Sequence, residues 1–222
     1  MIDALCKSVF FIESFYKFIR LISERQKHKV FREGEKSMDI GASSYRRYLD
    51  GDDTGLTEII RDYKDGLTLY INGYVDNIFT AEDLMEDTFF KLATKKPRFS
   101  GKSSFKTWLY AIARNIALDY LRKNSKVASA PIDDLSNYIA EEMNVEREYL
   151  IKEQKITLHR TMRELKAEYF QVLYLVYFEG FTNEEIAKIM KKNKRQIENL
   201  IYRSKGALKS ELEKEGFEYE RL

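Results

Sequence analysis

Apolar residues recur at three- and four-residue steps through most of this chain, the period of helices that bury one face. The longest such run is Leu56, Ile59, Ile60, Tyr63, Leu67, Tyr70, Ile71 and Tyr74. It lies within Tyr45 to Asp76, which reads as helices broken by an Asp/Gly turn at Asp50 to Asp53. Leu84, Met85, Phe89 and Leu92 form a second stripe. Thr80 is the expected cap of that helix, with Asp83 completing an approximate capping box. A third helix, Phe105 to Lys123, places Leu109, Ile112, Ala113, Ile116 and Tyr120 on its expected core stripe. Lys106, Tyr110 and Arg114 fall on another face, and Trp108, Asn115 and Arg122 on a third.

Further on, a helix is predicted from near Val145 through Ile151, Ile156, Leu158 and Met162, and another over Ala167 to Phe178. Tyr169, Val172, Leu173 and Val176 form the inner side of the latter, and Gly180 ends it. Phe181 to Lys209 then reads as two short helices joined by a tight turn. Thr182 and Glu185 fit a capping box, and Phe181 and Ile186 the hydrophobic staple around it. Asn193 caps the second helix, with Gln196 three residues on. Ile197, Leu200, Ile201, Ser204 and Leu208 share its inner face, leaving Lys194, Arg195, Gln196, Asn199 and Arg203 outside.

Three stretches break the period. Arg32 to Ser44 is polar and Gly-bearing, as a linker is. Asn124 to Asn144, with Pro131 and a run of acids, reads as an interdomain linker. Lys209 to Leu222 is a charged tail. Met1 to Lys29 mixes Val9, Phe10, Phe11, Ile12, Phe15, Phe18 and Ile19 with Glu13, Lys17 and Arg20. Three readings stay open for it: an amphipathic helix packed on the protein, a membrane-surface helix, or an upstream extension of a chain that starts at Met38. The expected organisation is all-α, with two small helical domains at 45–125 and 146–215. An N-terminal extension at 1–44, a flexible acidic linker at 126–145 and a tail at 216–222 complete it.

The net charge of this 222-residue chain is only +2, but the charge is segregated. Lys91 to Lys126 holds ten basic residues against Asp119 alone, and Asp133 to Glu148 holds six acids against Arg147 alone. Cys6 is the single cysteine, so neither an internal disulfide nor a cysteine zinc cluster can form. His28 and His159 lack metal-ligand spacing. No apolar run approaches the length of a membrane span, so stable membrane insertion is not expected.

The chemistry concentrates in three places. The last helix pair has the layout of a helix-turn-helix, whose second helix enters the major groove. Arg195 and Lys194 can donate to guanine, Gln196 and Asn199 can pair with adenine, and Lys191, Lys192 and Lys205 are placed for phosphates. Read alone, the same stretch also fits an ordinary helical hairpin with a solvated basic face. The basic loop Lys95 to Ser104 and the helix after it interleave cations with rings, which unpaired bases need for backbone charge and stacking. Glu82, Asp83, Glu86 and Asp87 form an acidic face near a helix start, favoured by the helix dipole. These carboxylates point outward together and do not converge on an ion, so protein contact or solvent fits them better than a metal.

AEDLMEDTFFKL (Ala81 to Leu92) and RFSGKSSFKTWLYAIARNIALDYLRK (Arg98 to Lys123) resemble conserved region 2 of bacterial sigma factors, nearest to the extracytoplasmic-function group. LKAEYFQVLYLVYFEGFTNEEIAKIMKKNKRQIENLIYRSKGAL (Leu165 to Leu208) resembles their region 4. The resemblance covers roughly Tyr45 to Leu212; its FxTWLYxIARN core is specific, and the helix-turn-helix alone is much less so. It implies a non-enzymatic subunit, without cofactor, that directs core RNA polymerase to promoter DNA.

By the same resemblance, Asp83, Leu84, Glu86 and Asp87 fall on the helix that binds the β′ clamp helices. Phe99, Ser103 and Lys106 fall on the loop that captures a flipped minus-ten base, and Trp108, Arg114, Asn115 and Arg122 beside the melted strand. Lys191, Lys192, Lys194, Arg195, Gln196, Asn199 and Arg203 belong to the minus-thirty-five reader, in a domain that also binds the β flap. An anti-sigma factor is a typical partner of the group, and nothing in the sequence identifies one. Arg195 and Glu198 depart from the family pattern, where small and basic residues are common, and residues 1–37 have no counterpart in it. Two rivals remain at this level. One is a helix-turn-helix regulator that is not a polymerase subunit, and the other a DNA-processing enzyme with a metal on the acidic face.

Overall fold

A computed structural model describes residues 39–124, 158 and 160–214. The N-terminal extension with its Met38 start, the linker at 126–145, the helix start near Val145 and the tail at 216–222 lie outside the described residues. Among the described residues the chain is helical, without strands. The helices are α1 (Ile40–Leu49), α2 (Thr54–Val75), α3 (Ile78–Lys95), α4 (Phe105–Asn124), α5 (Ala167–Tyr177), α6 (Asn183–Met190) and α7 (Lys194–Lys214). Residues 160–164 add a further helical turn.

Two compact units are distinguished. The first gathers α1 to α4 with Phe181–Asn199, and hence α6 and the start of α7. In it α2 packs against α1 and α3, and α4 lies against α1, α2, α3 and α6. Tyr45, Ile59, Leu67, Tyr70, Leu92 and Leu109 are among the side chains buried at its centre.

The expected linker is partly wrong: its last residues, Ile40 to Ser44, begin α1. Asp39 caps that helix, its carboxylate accepting from Ala42 N–H at 3.1 Å. The small residues that suggest a linker serve close packing instead. A Cβ on Gly41 would stand 2.5 Å from the Phe105 ring, and one on Gly55 would overlap the Ser44 carbonyl oxygen. The cap of α3 is also displaced from Thr80. Helix α3 starts earlier, and Asn77 accepts from Thr80 N–H at 2.9 Å.

On α4 the buried positions are Phe105, Thr107, Leu109, Tyr110, Ala113 and Ala117. Ile112, Ile116 and Tyr120 are only partly covered. The stripe is rotated from its expected place because α4 has neighbours on more than one side. Tyr110, expected outside the core, is wedged between Tyr70 and Phe181 at centroid distances of 5.3 and 5.1 Å.

The second unit contains residues 160–180 and the part of α7 beyond Asn199. Helix α5 is buried nearly all round, through Phe170 to Leu175 and Tyr177, as a helix at the centre of its unit must be. Phe170, Tyr174 and Phe178 stack along one edge, with rings 5.8 and 5.2 Å apart and within 10° of parallel. Gly180, at φ +69°, follows the helix, as expected.

Candidate nucleic-acid and protein interface

The helix-turn-helix is built by two reciprocal caps. Thr182 accepts from Glu185 N–H at 3.3 Å while Glu185 Oε2 accepts from Thr182 N–H at 3.0 Å. Asn193 accepts from Gln196 N–H at 2.8 Å, and Gln196 Oε1 accepts from Asn193 N–H at 2.9 Å. Between them Lys191 makes the turn at φ +54°, a conformation that favours glycine. On α7, Ile197, Leu200, Ser204, Leu208 and Leu212 are buried. Lys194, Arg195, Gln196, Asn199 and Arg203 are exposed, as the periodicity predicts, and so is Lys191, whereas Lys192 is half-buried.

Two of these side chains have other ties. Gln196 gives its oxygen to the cap, so it cannot pair bidentately with adenine while the cap is closed. Lys194 is ion-paired with Glu184 at 2.5 Å, and each holds the other charged: the lysine pKa is raised and the glutamate pKa lowered. Tyr202 was missed. It is 81% exposed on the same outer surface as Asn199 and Arg203, where the sequence was read for cations and amides alone.

The basic loop before α4 is anchored at both ends. Tyr48 donates to the Ala93 carbonyl at 3.0 Å and Tyr45 to the Pro97 carbonyl at 2.8 Å. Burial, aided by nearby Tyr48, pushes the Tyr45 phenol up to about 12, so it stays a donor. At the other end Asp39 accepts from Phe105 N–H at 2.6 Å. The rings of Phe99 and Trp108 lie 5.2 Å apart, against Phe105 at 5.7 and 5.5 Å respectively. Phe105 is fully buried, whereas Phe99, Ser103 and Trp108 are half-buried. Phe99 and Trp108 are therefore packed against neighbouring rings without being fully covered.

Asn115 is half-buried further along α4, and Arg122 is exposed and paired with Asp119 at 2.9 Å. Arg114 is half-buried, and its Nε is buried without a hydrogen-bond partner. Lys106 turns toward α6, its ammonium 4.8 Å from the Phe181 ring centroid.

On α3, Asp83, Glu86 and Asp87 are exposed, but Leu84 is only 5% exposed and packs inward. The outer stripe is completed by two aromatics that periodicity reasoning left aside. Phe79 is 70% and Phe90 66% exposed, and with Asp83 and Glu86 they run along one face at helical spacing.

Residues 59–127 match the family model of Sigma-70 region 2, and residues 155–208 that of Sigma-70, region 4. The chain is a sigma factor of the extracytoplasmic-function group. This sigma factor is 28% identical over 160 residues to RNA polymerase sigma factor YlaC of Bacillus subtilis strain 168, covering 72% of this chain and 92% of that one. It is 26% identical over 175 residues to the extracytoplasmic-function sigma-E factor of Salmonella typhimurium strain 14028s, covering 75% and 91%. A solved complex of the sigma factor RpoE with the anti-sigma factor NepR from Bartonella quintana has a similar fold. Its TM-score is 0.57 at 20% identity, over 71% of this chain and 96% of that one. The CnrH chain of a complex with the cytosolic domain of CnrY has a TM-score of 0.54 at 16% identity, over 78% and 95%.

The sigma factor binds core RNA polymerase and directs promoter-specific initiation, reading the minus-thirty-five element and melting the minus-ten element. Sigma factors as a family are not enzymes. Among the described residues, no helix is long and apolar enough to cross a membrane.

Proposed function

We propose that the faces described above divide the work of the sigma factor between them. Asp83, Glu86 and Asp87 supply the charge that meets the β′ clamp helices, and Phe79 and Phe90 act as apolar anchors beside them. Phe99 and Trp108 accept extruded minus-ten bases against their uncovered surface, with Ser103, Lys106, Arg114, Asn115 and Arg122 along the strand. Arg195, Asn199, Arg203 and Tyr202 face the minus-thirty-five element in the major groove, and Lys191, Lys192 and Lys194 its phosphates. The domain that carries them also meets the β flap.

The observation that carries this reading is α7, where one face is buried apolar surface and the other is exposed cations and amides. The polymerase-binding and strand-melting domain runs from Asp39 to residue 125, and the upstream-reading domain from 146 to 215. Catalysis belongs to the polymerase, so this chain has no enzymatic step of its own. It works in the cytoplasm with core polymerase, and it is restrained by an anti-sigma factor like the one that accompanies the Bartonella relative. Run-off transcription with core polymerase on a genomic promoter pool tests the reading. Discrete transcripts that need this chain are expected, and a product pattern identical to that of core polymerase alone would refute it.

A further inference from the structure

Glu198 is an acid in the first two turns of α7, set among Lys194, Arg195 and Asn199. It is exposed, three residues after Arg195 and four before Tyr202. Residues at those spacings are neighbours on a helix surface, so the three side chains share one patch. Among the described residues Glu198 makes no hydrogen bond and no ion pair within reach of its carboxylate. Its natural helical partner, Lys194, is already engaged. That ammonium lies 2.5 Å from Glu184 on α6, which is the main cause of its raised pKa, and Glu198 adds only through its charge at longer range.

A carboxylate on a surface turned toward DNA repels the phosphates at every site it visits. That cost falls on all sequences alike unless the oxygens find a donor. Donors are scarce along the major groove. Guanine shows the acceptors N7 and O6, and thymine an O4 acceptor and a methyl group. Adenine has an amino donor, but with the N7 acceptor beside it. Cytosine shows its N4 amino group with no acceptor next to it, so it is the base edge that suits a carboxylate best.

The neighbour of Glu198 asks for the opposite pattern. Arg195 carries donors only and fits guanine O6 and N7. Three residues advance about 4.5 Å along a helix axis, close to the rise of about 3.4 Å between base pairs. An inserted α7 therefore brings Arg195 and Glu198 to the same base pair or to adjacent ones.

We propose that Glu198 is a specificity-determining residue that accepts a hydrogen bond from a cytosine N4 amino group in the upstream element, beside the guanine read by Arg195. The inference rests on the reading of α7 as the helix in the major groove and deepens it by naming the base. The ion pair of Lys194 with Glu184 serves the same end, since it keeps the nearest ammonium from capturing the carboxylate.

The test uses holoenzyme assembled from core RNA polymerase and the full chain. The template is a promoter that this holoenzyme transcribes, with its upstream element randomised, and run-off transcripts are sequenced back to their templates. The parent is expected to favour cytosine at one position by about fivefold or more, the worth of a specific base contact. Glu198→Gln keeps the size of the side chain, loses the charge and presents an amide that suits adenine. It should move the preference at that position from cytosine to adenine. Glu198→Ala should level the position, and both variants should keep the guanine preference set by Arg195. If both variants raise transcription from all templates equally, with every base preference as in the parent, Glu198 is a repulsive charge and the proposal is overturned. Arg195→Ala separates this from the functional reading. If it shifts the preferred upstream sequence while the Glu198 variants do not, the inference alone fails. If the parent shows no upstream preference, the placement of α7 in the groove fails and the cytosine contact falls with it.

Discussion

Asp39 bonds the backbone N–H of Phe105 at 2.6 Å while its other carboxylate oxygen caps α1 through Ala42. One side chain therefore sets the start of α1 and fixes the amino end of α4, where the basic loop meets its helix. Replacing an N-cap Asp by Ala costs about 0.5–2 kcal/mol. With two helix starts dependent on it, Asp39→Ala is expected to cost about 2–3 kcal/mol in chemical denaturation. A chain starting at Met38 keeps this residue and should retain its melting temperature and polymerase binding. A chain starting at Tyr45 should lose stability.

On α3, stability and partner binding should separate cleanly. Leu84→Ala opens a cavity in the core, at a cost of about 2–5 kcal/mol. Asp83→Ala, Glu86→Ala and Phe90→Ala change exposed side chains, so each should shift stability by less than about 0.5 kcal/mol. They should instead weaken binding to core polymerase, measured by competition against a labelled sigma factor. Loss of binding in the Leu84 variant alone would remove the outer stripe from the interface.

Trp108 packs against three rings yet is only half-buried, so its replacement needs two steps. Trp108→Phe keeps a ring against Phe99 and Tyr45, and Trp108→Ala does not. Promoter opening, followed by permanganate footprinting, should weaken for Asn115→Ala and for both tryptophan variants. A lost stack is worth about 1–3 kcal/mol per base. Only Trp108→Ala should also lower the melting temperature.

Arg195 and Gln196 stand side by side but should respond differently. Arg195→Ala should change which upstream element is preferred, by about 1–3 kcal/mol, with stability unaltered. Gln196→Ala breaks the cap with Asn193, and should destabilise the helix-turn-helix as well as weaken DNA contact. Lys192→Ala should weaken all sites evenly and flatten the salt dependence. Lys191→Gly removes the same kind of charge but relieves a positive φ, so it should weaken DNA binding while raising stability by about 1 kcal/mol.

Acid should loosen the first unit. Hydrogen bonds from Ser44 and then Arg47 hold the Glu58 carboxyl below its ordinary value of 4.5, and Glu185 is lowered too. A carboxylate whose folded pKa is depressed stabilises the fold above the unfolded value, and that stability is lost as pH falls through the folded value. Stability should therefore decline once pH drops below 4.5, and the Glu185→Gln variant should show a shallower decline in acid titrations followed by circular dichroism.

The caps at Thr182–Glu185 and Asn193–Gln196 were legible because each is a three-residue relationship, complete within its own turn. The buried face of α7 was legible for the same reason. What escaped was decided at long range. Ile40 to Ser44 looked like a linker because a close helix crossing and a linker both select small residues. Tyr110 looked peripheral because a stripe drawn for one neighbour cannot anticipate a second, and α6 covers it from another side. Phe79, Phe90 and Tyr202 were passed over because the outer faces were read for charges and amides, and an exposed ring carries no such signal. The placement of Leu84 with the exposed acids came from a family pattern that records position along the helix but not the direction of each side chain.

The bond from Asp39 to Phe105 spans 66 residues, and this has a consequence for synthesis. At ribosomal speeds of roughly 5–20 residues per second, Phe105 follows Asp39 by about 3–13 s. During that interval α1 has emerged without the neighbour that occupies its Gly41 notch, and Tyr45 lacks the ring cluster it later joins. Among the described residues, the helix made first is thus among the last completed, because its aromatic surface has no cover until α4 arrives.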